Sequence, residues 1–208
     1  MKFFNPFEDI KVTRNHLPHW QQPGVPYFIT FRMADSLPVG MLEELEAERL
    51  LWQQNHPPPL SPDEEAEYHK RFSARVDQWL DQGHGSCVLR QTCYRLKIEE
   101  SLKFFDGQRY EMLSYVIMPN HVHGLLMIHP DWSLEKVIFT WKRRTAGVIN
   151  ESLGVTGPFW QRDYFDRLIR DGDHLRNVIR YIRRNPTKAS LKEGEFTLWE
   201  SALAQAVG

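Results

Sequence analysis

Tyr110-Glu111-Met112-Leu113-Ser114-Tyr115-Val116-Ile117-Met118-Pro119-Asn120-His121-Val122-His123-Gly124-Leu125-Leu126-Met127-Ile128-His129 decides the fold. It holds two β-rich runs, 110–118 and 121–129, with only Pro119-Asn120 between them. So short a connection is a hairpin, and it makes the two runs antiparallel neighbours. Upstream, Leu89, Cys93, Leu96 and Leu102 stand near helical spacing, predicting a helix over about 89–105 that Asp106-Gly107 stops. Further upstream, Tyr27-Phe28-Ile29-Thr30-Phe31-Arg32 is an aromatic, β-branched strand introduced by Pro23-Gly24-Val25-Pro26. Downstream, Ser133 caps a helix running to Asn150, with Glu135 near its positive end. Phe159 to Ile169 supplies one more strand, and Asp173 caps a final helix that Pro186 ends. The order is that of an α+β, ferredoxin-like βαββαβ sandwich, an antiparallel sheet with helices on one face. A C-terminal helix carrying Tyr181 follows it.

Residues 40–82 interrupt this order with two helical stretches, one holding Leu42, Leu45, Leu50 and Leu51, the other Tyr68, Phe72, Val76 and Leu80. Pro57-Pro58-Pro59 separates them, because consecutive prolines remove donors and clash with a helical turn. The pair reads as an acidic hairpin inserted into one domain spanning 1–208. Over 41–82 there are ten acidic residues against four basic; over 136–192 there are thirteen basic against five acidic. A formal net charge of −1 therefore conceals a basic segment that could hold nucleic acid.

The 208 residues are 41% hydrophobic and 25% charged, which excludes disordered and fibrous classes. No apolar run approaches a membrane span, and Pro6 breaks the amino terminus before a leader could form, so a soluble, cytoplasmic protein with no membrane partner is expected. Cys87 and Cys93 are too few for a disulfide framework and are not spaced as a zinc knuckle.

Three constellations carry chemistry. In a strand, His121 and His123 project from one face and can place two imidazoles on one divalent metal, while Val122 turns to the core. They could equally be strand-edge histidines satisfied by backbone and water. Tyr181 and Asn185, four apart, share a helix face in Tyr181-Ile182-Arg183-Arg184-Asn185-Pro186. A phenol becomes a usable nucleophile where a metal and cations favour the phenolate; otherwise Tyr181 is a core aromatic beside Val178 and Ile182. The third is a cationic and aromatic set on Trp141-Lys142-Arg143-Arg144, Phe159-Trp160-Gln161-Arg162 and the Tyr181 helix. Within it Lys142, Arg143, Arg162, Arg180, Arg183, Arg184 and Lys188 suit phosphates, and Trp160 suits stacking on an unpaired base. Buried tryptophans and a solvated helix face are the plain alternative.

Tyr115 to His123 resembles the histidine–hydrophobe–histidine metal motif of HUH single-strand nucleases. Phe159-Trp160-Gln161-Arg162-Asp163-Tyr164-Phe165-Asp166-Arg167 and Tyr181-Ile182-Arg183-Arg184-Asn185-Pro186-Thr187-Lys188-Ala189 resemble the later signatures of the REP-associated tyrosine transposases. Pro18-His19-Trp20 and the Tyr27 strand fit as well, so the resemblance covers about residues 16–190. It implies a ferredoxin-like fold, Mg²⁺ or Mn²⁺, and cleavage of single-stranded or hairpin DNA at palindromic repeats by a monomer or homodimer. By position, it makes His121 and His123 metal ligands and Tyr181 the nucleophile forming a 5′-phosphotyrosine. Asn185 stands where relatives place a polar side chain, often Gln, that can complete the metal shell. The 40–82 insertion belongs to only some members. Two other functions fit the residues: a domesticated DNA-hairpin binder that no longer cuts, and a metal hydrolase using the two histidines with water.

Overall fold

The computed structural model describes residues 1–14, 18–57 and 61–207. Pro58 and Pro59 of the expected helix break, and the first residues of the 16–190 stretch, lie outside the described residues. The sheet forms around the strand β3 (Pro26–Arg32), which pairs antiparallel with β5 (His121–Ile128), placing Arg32 opposite His121 and Thr30 opposite His123. On its other side β5 pairs with β4 (Tyr110–Ile117) through the expected hairpin, closed by the Met118 amide donating to the His121 carbonyl at 2.9 Å. The remaining strands are β6 (Phe165–Leu168) beside β3 and β7 (Thr197–Glu200) beside β4, giving the order β6-β3-β5-β4-β7 with every pair antiparallel. A separate two-stranded sheet is formed by β1 (Lys11–Arg14) and β2 (Pro18–Gln21). The first six elements of the sandwich follow the expected βαββαβ order; β7 and the short helix α7 (Ala202–Val207) extend it.

Alternation assigns the faces. Tyr27, Ile29, Phe31, Val122 and Leu126 point to one side, where α4 (Thr92–Lys103) and α5 (Leu134–Leu153) cover them with Ile98, Leu102, Val137, Ile138 and Trp141. Phe28, Val116 and Leu125 point to the other, beneath Leu175, Val178, Ile179 and Ile182 of α6 (Gly172–Lys188). A bulge between Met112 and Ser114 shifts the alternation in β4, so Met112 and Tyr115 join the first face and Leu113 and Val116 the second. Each large side chain removed from water contributes about 1.5–3 kcal/mol. Helices thus cover both faces, the βαββαβ pair on one and the tyrosine helix on the other.

Four local expectations change. The stretch 88–105 begins with a 3₁₀ turn, Val88–Arg90, and an extended Gln91 before α4, so Leu89 does not set the helix phase. Cys93 and Leu96 face out, while Tyr94, Arg95 and Ile98 are buried. The buried Arg95 guanidinium is satisfied by the carbonyls of Leu89, Arg90 and Gly194 and by Thr197 Oγ1. The strand expected over 159–169 is regular only from Phe165, because the Lys142 ammonium gathers the carbonyls of Gln161, Arg162 and Asp163 (3.0, 3.2 and 2.9 Å) out of ladder geometry. Asp171, not Asp173, caps α6, accepting from the His174 amide at 2.7 Å; Asp173 instead pairs with Arg176. Finally, Pro186 lies inside α6, which ends two residues later at Lys188. So near the end, the missing N–H costs a single helical hydrogen bond, and the Pro186 carbonyl accepts from the Leu191 amide at 2.9 Å.

The insertion forms α1 (Val39–Asn55), α2 (Pro62–Tyr68), a wide π turn (His69–Ser73) and α3 (Ala74–Asp81). Its own small core is Leu45, Trp52 and Phe72, whereas Leu50 and Leu51 are exposed. Where α3 meets the sheet lies an open cleft of about 690 Å³, lined by residues that include Thr30, Arg32, Asp77, Tyr164 and Phe165.

His19 ties β2 to the sheet. It is fully buried, stacks on Tyr164 at 4.3 Å, and bonds Asp166 through Nδ1 and Asp163 through Nε2 at 3.3 Å. Burial alone would lower its pKa, but the two carboxylates outweigh it and raise it to about 9. A raised pKa means that this stabilisation is complete below about 6.5 and lost as pH rises through about 9. The melting temperature should therefore fall between about pH 7 and pH 10, and His19→Gln should flatten that dependence. An equally steep fall in the variant would assign the effect elsewhere.

Candidate active site

The face beneath α6 collects the histidines and the tyrosine. His121 and His123 are buried, and their Nε2 atoms lie 3.1 Å apart. Asn120 fixes one tautomer. Its Nδ2 donates to the Leu80 and His84 carbonyls at 3.3 and 3.1 Å, so its Oδ1 must accept, at 2.7 Å, from His121 Nδ1–H. That leaves a lone pair on His121 Nε2. His123 Nδ1 bonds the Thr30 hydroxyl at 2.8 Å. Both rings are therefore oriented from behind, as ligating imidazoles usually are. Burial first, then the charge of Lys188, holds His121 down to about 3. Burial, His121 and Lys188 hold His123 well below the usual range, against a contact from Asn185. Both rings are neutral at physiological pH.

Tyr181 arrives from α6. Its ring packs edge-on against His123 (centroids 5.3 Å apart) and Phe28 (5.7 Å). Burial first, then the charge of Asp77, raises its pKa above the ordinary value, so the resting side chain is a phenol. Asn185, one turn on, is buried; its Nδ2 donates to the Tyr181 carbonyl at 3.3 Å, while its Oδ1 has no hydrogen bond. The Tyr181 hydroxyl is likewise buried without an aligned hydrogen bond.

Among the described residues no group of three or more His, Cys, Asp or Glu side chains could hold a metal ion. The donors that do converge are of another mix: two neutral imidazoles and the unsatisfied amide oxygen of Asn185 beside His123. That set suits a divalent cation that keeps open positions for oxygen ligands.

The basic segment does not form one surface. Lys142 is committed to three carbonyls and to the Tyr164 ring, and burial lowers its pKa to about 8. Trp160 is buried and its indole N–H donates to Thr145 Oγ1 at 2.9 Å, leaving no face for a base. These two expectations are corrected: both side chains belong to the fold. Arg183 donates to Glu200 through Nε and Nη2, each at 3.1 Å, and Lys188 pairs with Asp81 at 2.7 Å. Arg143 is exposed, but on α5, the helix covering the opposite face from the histidines. Arg162, Arg180 and Arg184 are exposed.

Two site residues had no sequence signal of this role: Asn120, which orients His121, and Asp77 of α3, whose carboxyl adjoins the Tyr181 hydroxyl. In the motif Asn120 reads as a turn residue only. Asp77 sits far away in sequence, among many carboxylates.

Residues 89–185 match the family described as IS200-like transposases. The IS200-like stretch runs from the 3₁₀ turn before α4 to Asn185, and so takes in the histidines, Asn120 and Tyr181 while leaving out the 39–82 insertion. A Haemophilus influenzae protein described as uncharacterized is 30% identical over 104 residues, covering 40% of this chain and 57% of that protein. The chain thus spans little more than half the length of the curated relative it matches. A solved structure, described as the REP-associated tyrosine transposase bound to a REP hairpin, aligns with a TM-score of 0.42 and 14% identity, covering 86% of this chain and 77% of that one. No helix among the described residues is long and apolar enough to cross a membrane.

Proposed function

We propose that this chain is an HUH-type tyrosine transposase akin to the REP-associated group, a single-strand DNA endonuclease and transesterase acting on hairpin or repeat DNA. The observation that carries this reading is the packing of Tyr181 against His123, whose Nε2 faces that of His121 at 3.1 Å. Residues remote in sequence meet as a nucleophile beside a two-imidazole donor pair. His121, His123 and the Asn185 amide oxygen would hold Mg²⁺ or Mn²⁺, which when bound polarises the scissile phosphate and stabilises charge on its non-bridging oxygen.

The chain's own groups do the rest. Thr30 and Asn120 fix the imidazoles, and α6 holds the Tyr181 ring against that of His123. Attack by Oη forms a phosphorus–oxygen bond and breaks the bond from phosphorus to O3′; the phenolic proton is lost and the leaving oxygen gains one. The products are a 5′-phosphotyrosine and a free 3′-hydroxyl. The linkage remains a phosphodiester, so a 3′-hydroxyl can reverse the step and rejoin strands without a nucleotide cofactor.

The test is a labelled DNA hairpin with single-stranded flanks, incubated with the protein and Mg²⁺ or Mn²⁺. A denaturant-resistant protein–DNA adduct that chelator prevents is expected. Specific binding with no adduct under any divalent ion would instead support a hairpin-binding protein. That second reading is favoured by one feature, the carboxylates of Asp77 and Asp81 at Tyr181 and Lys188.

Binding should depend on the exposed cations nearest this face. Arg184→Ala and Arg180→Ala should each weaken binding and reduce the salt slope by roughly one for every phosphate the arginine neutralises. Arg143→Ala, on the far helix, should change neither. An unaltered slope in the Arg180 and Arg184 variants, with a reduced one in Arg143→Ala, would move the DNA to the α5 side.

A further inference from the structure

The inserted hairpin is built into the site at three separate points. Its last helix, α3, ends against the histidine turn, where Asn120 Nδ2 bonds the Leu80 and His84 carbonyls while Asn120 Oδ1 holds His121. One side chain thus fastens the insertion and orients a candidate ligand. Leu80 is buried at this junction. On the face of α3 toward α6, Asp77 adjoins the Tyr181 hydroxyl, and Asp81, one helical turn later, pairs with Lys188 at 2.7 Å. Helix α3 therefore meets the tyrosine helix at two levels and the histidine strand at a third.

We infer that Asp77 is a positioning residue for Tyr181, so that the insertion forms a wall of the active site. The inference rests on the reading of Tyr181 as the nucleophile. A phenol turns freely about its C–O bond, and attack requires one lone pair directed at phosphorus. Around the hydroxyl stand the faces of His123 and Phe28, Asn185, and Asp77. Of these four, Asp77 comes from an element outside the strand-and-helix frame, fixed there by Asn120. The hydroxyl makes no aligned hydrogen bond at rest, so a turn of its O–H toward Asp77 is what brings the phenolic hydrogen to a carboxyl oxygen and directs the lone pairs the other way. Misplacement of a reacting atom by about 1 Å can cost on the order of 10²-fold in rate, so a single such contact is worth a measurable factor. A cleft of about 690 Å³ between the insertion and the sheet is lined by Asp77 and Thr30.

The experiment compares the full chain with Asp77→Ala and Asp77→Asn by two readouts. One is single-turnover adduct formation with the labelled hairpin in Mg²⁺ or Mn²⁺. The other is the ¹³Cζ resonance of Tyr181, assigned by its loss in Tyr181→Phe. Alanine suits a helix, so the variants should fold, as melting temperature will show. Asp77→Ala is expected to slow adduct formation roughly tenfold to a hundredfold with hairpin affinity little changed, and to shift the resonance. Asparagine keeps an accepting oxygen, so Asp77→Asn should recover most of the rate and return the resonance to its place. A merely structural Asp77 would lower the melting temperature of Asp77→Ala along with the rate and leave the Tyr181 resonance in place. An unmoved resonance and an undiminished rate in Asp77→Ala would overturn the inference, as would Asp77→Asn failing as badly as Asp77→Ala. If the wild-type chain forms no adduct at all, the catalytic reading fails, and the resonance alone decides: shifted in Ala and restored in Asn supports the contact, unmoved rejects it.

Discussion

Replacing His121 by alanine is expected to abolish DNA cleavage while leaving hairpin affinity within a few-fold. The imidazole is buried and neutral, its Nδ1–H is committed to Asn120, and its Nε2 lone pair faces His123 Nε2 at 3.1 Å. Such a group contributes to the fold by packing and one hydrogen bond, so the variant should lose about 1–3 kcal/mol of stability through an unpaired Asn120 oxygen and a small void. On the proposed reading its larger contribution would be to charge stabilisation at the phosphate, where a divalent ion is worth several kcal/mol, or about 10³-fold or more in rate. Single-turnover cleavage, chelator titration and melting temperature together separate the two contributions. Chelator should reproduce the His121→Ala phenotype on wild-type protein and add nothing to the variant. Undiminished cleavage by the His121→Ala, His123→Ala double variant would remove the histidines from the mechanism.

What the sequence discloses about the fold follows from how local each signal is. The central hairpin is readable because period-two alternation and a two-residue connection leave little freedom in register, and Met118-to-His121 closure follows. The bulge at Leu113 is not, since nothing in Met112-Leu113-Ser114 marks which residue is extra. The apolar spacing misleads about the phase of α4 because an extended Gln91 separates Leu89 from the helix, and because Arg95, charged and so expected outside, is buried on carbonyls. At the site, His121, His123, Tyr181 and Asn185 can be singled out because spacing on a strand or helix face is a local property, and the fold does bring them together. The cations cannot be sorted that way. Whether Arg183 faces DNA or Glu200, Lys188 DNA or Asp81, and Lys142 DNA or three carbonyls depends on strands and helices distant in the chain. Asp77 is the sharpest case. In sequence it is one of ten acidic residues over 41–82, and only tertiary placement sets it against Tyr181.

Tyr181→Phe should form no covalent adduct and no nick, while binding the hairpin as wild type does. The substitution removes one oxygen from a ring whose packing against Phe28 and His123 is unaffected. Because that oxygen is buried without an aligned hydrogen bond, its loss should leave stability unchanged or raise it slightly. A functional loss with no stability loss is the signature of a group kept for chemistry. The other tyrosines near the sheet have structural uses. Tyr115 is fully buried, stacks on Trp199 and donates to Glu99 at 2.9 Å, on the face away from the histidines. Tyr164 stacks on the buried His19 beneath the Lys142 ammonium. Tyr115→Phe and Tyr164→Phe should therefore retain the adduct, with Tyr115→Phe losing about 1 kcal/mol for its hydrogen bond. Mass spectrometry of the tryptic adduct should place the nucleotide on the peptide containing Tyr181. An adduct that survives Tyr181→Phe and vanishes in Tyr164→Phe would transfer the chemistry to the loop before β6, and the two-histidine site would then need another nucleophile. The absence of any aligned partner for the Tyr181 hydroxyl, beside two neutral imidazoles and an unsatisfied amide oxygen, favours the first outcome: a fold seldom buries two unmatched polar groups against a pair of imidazoles unless a further component completes them.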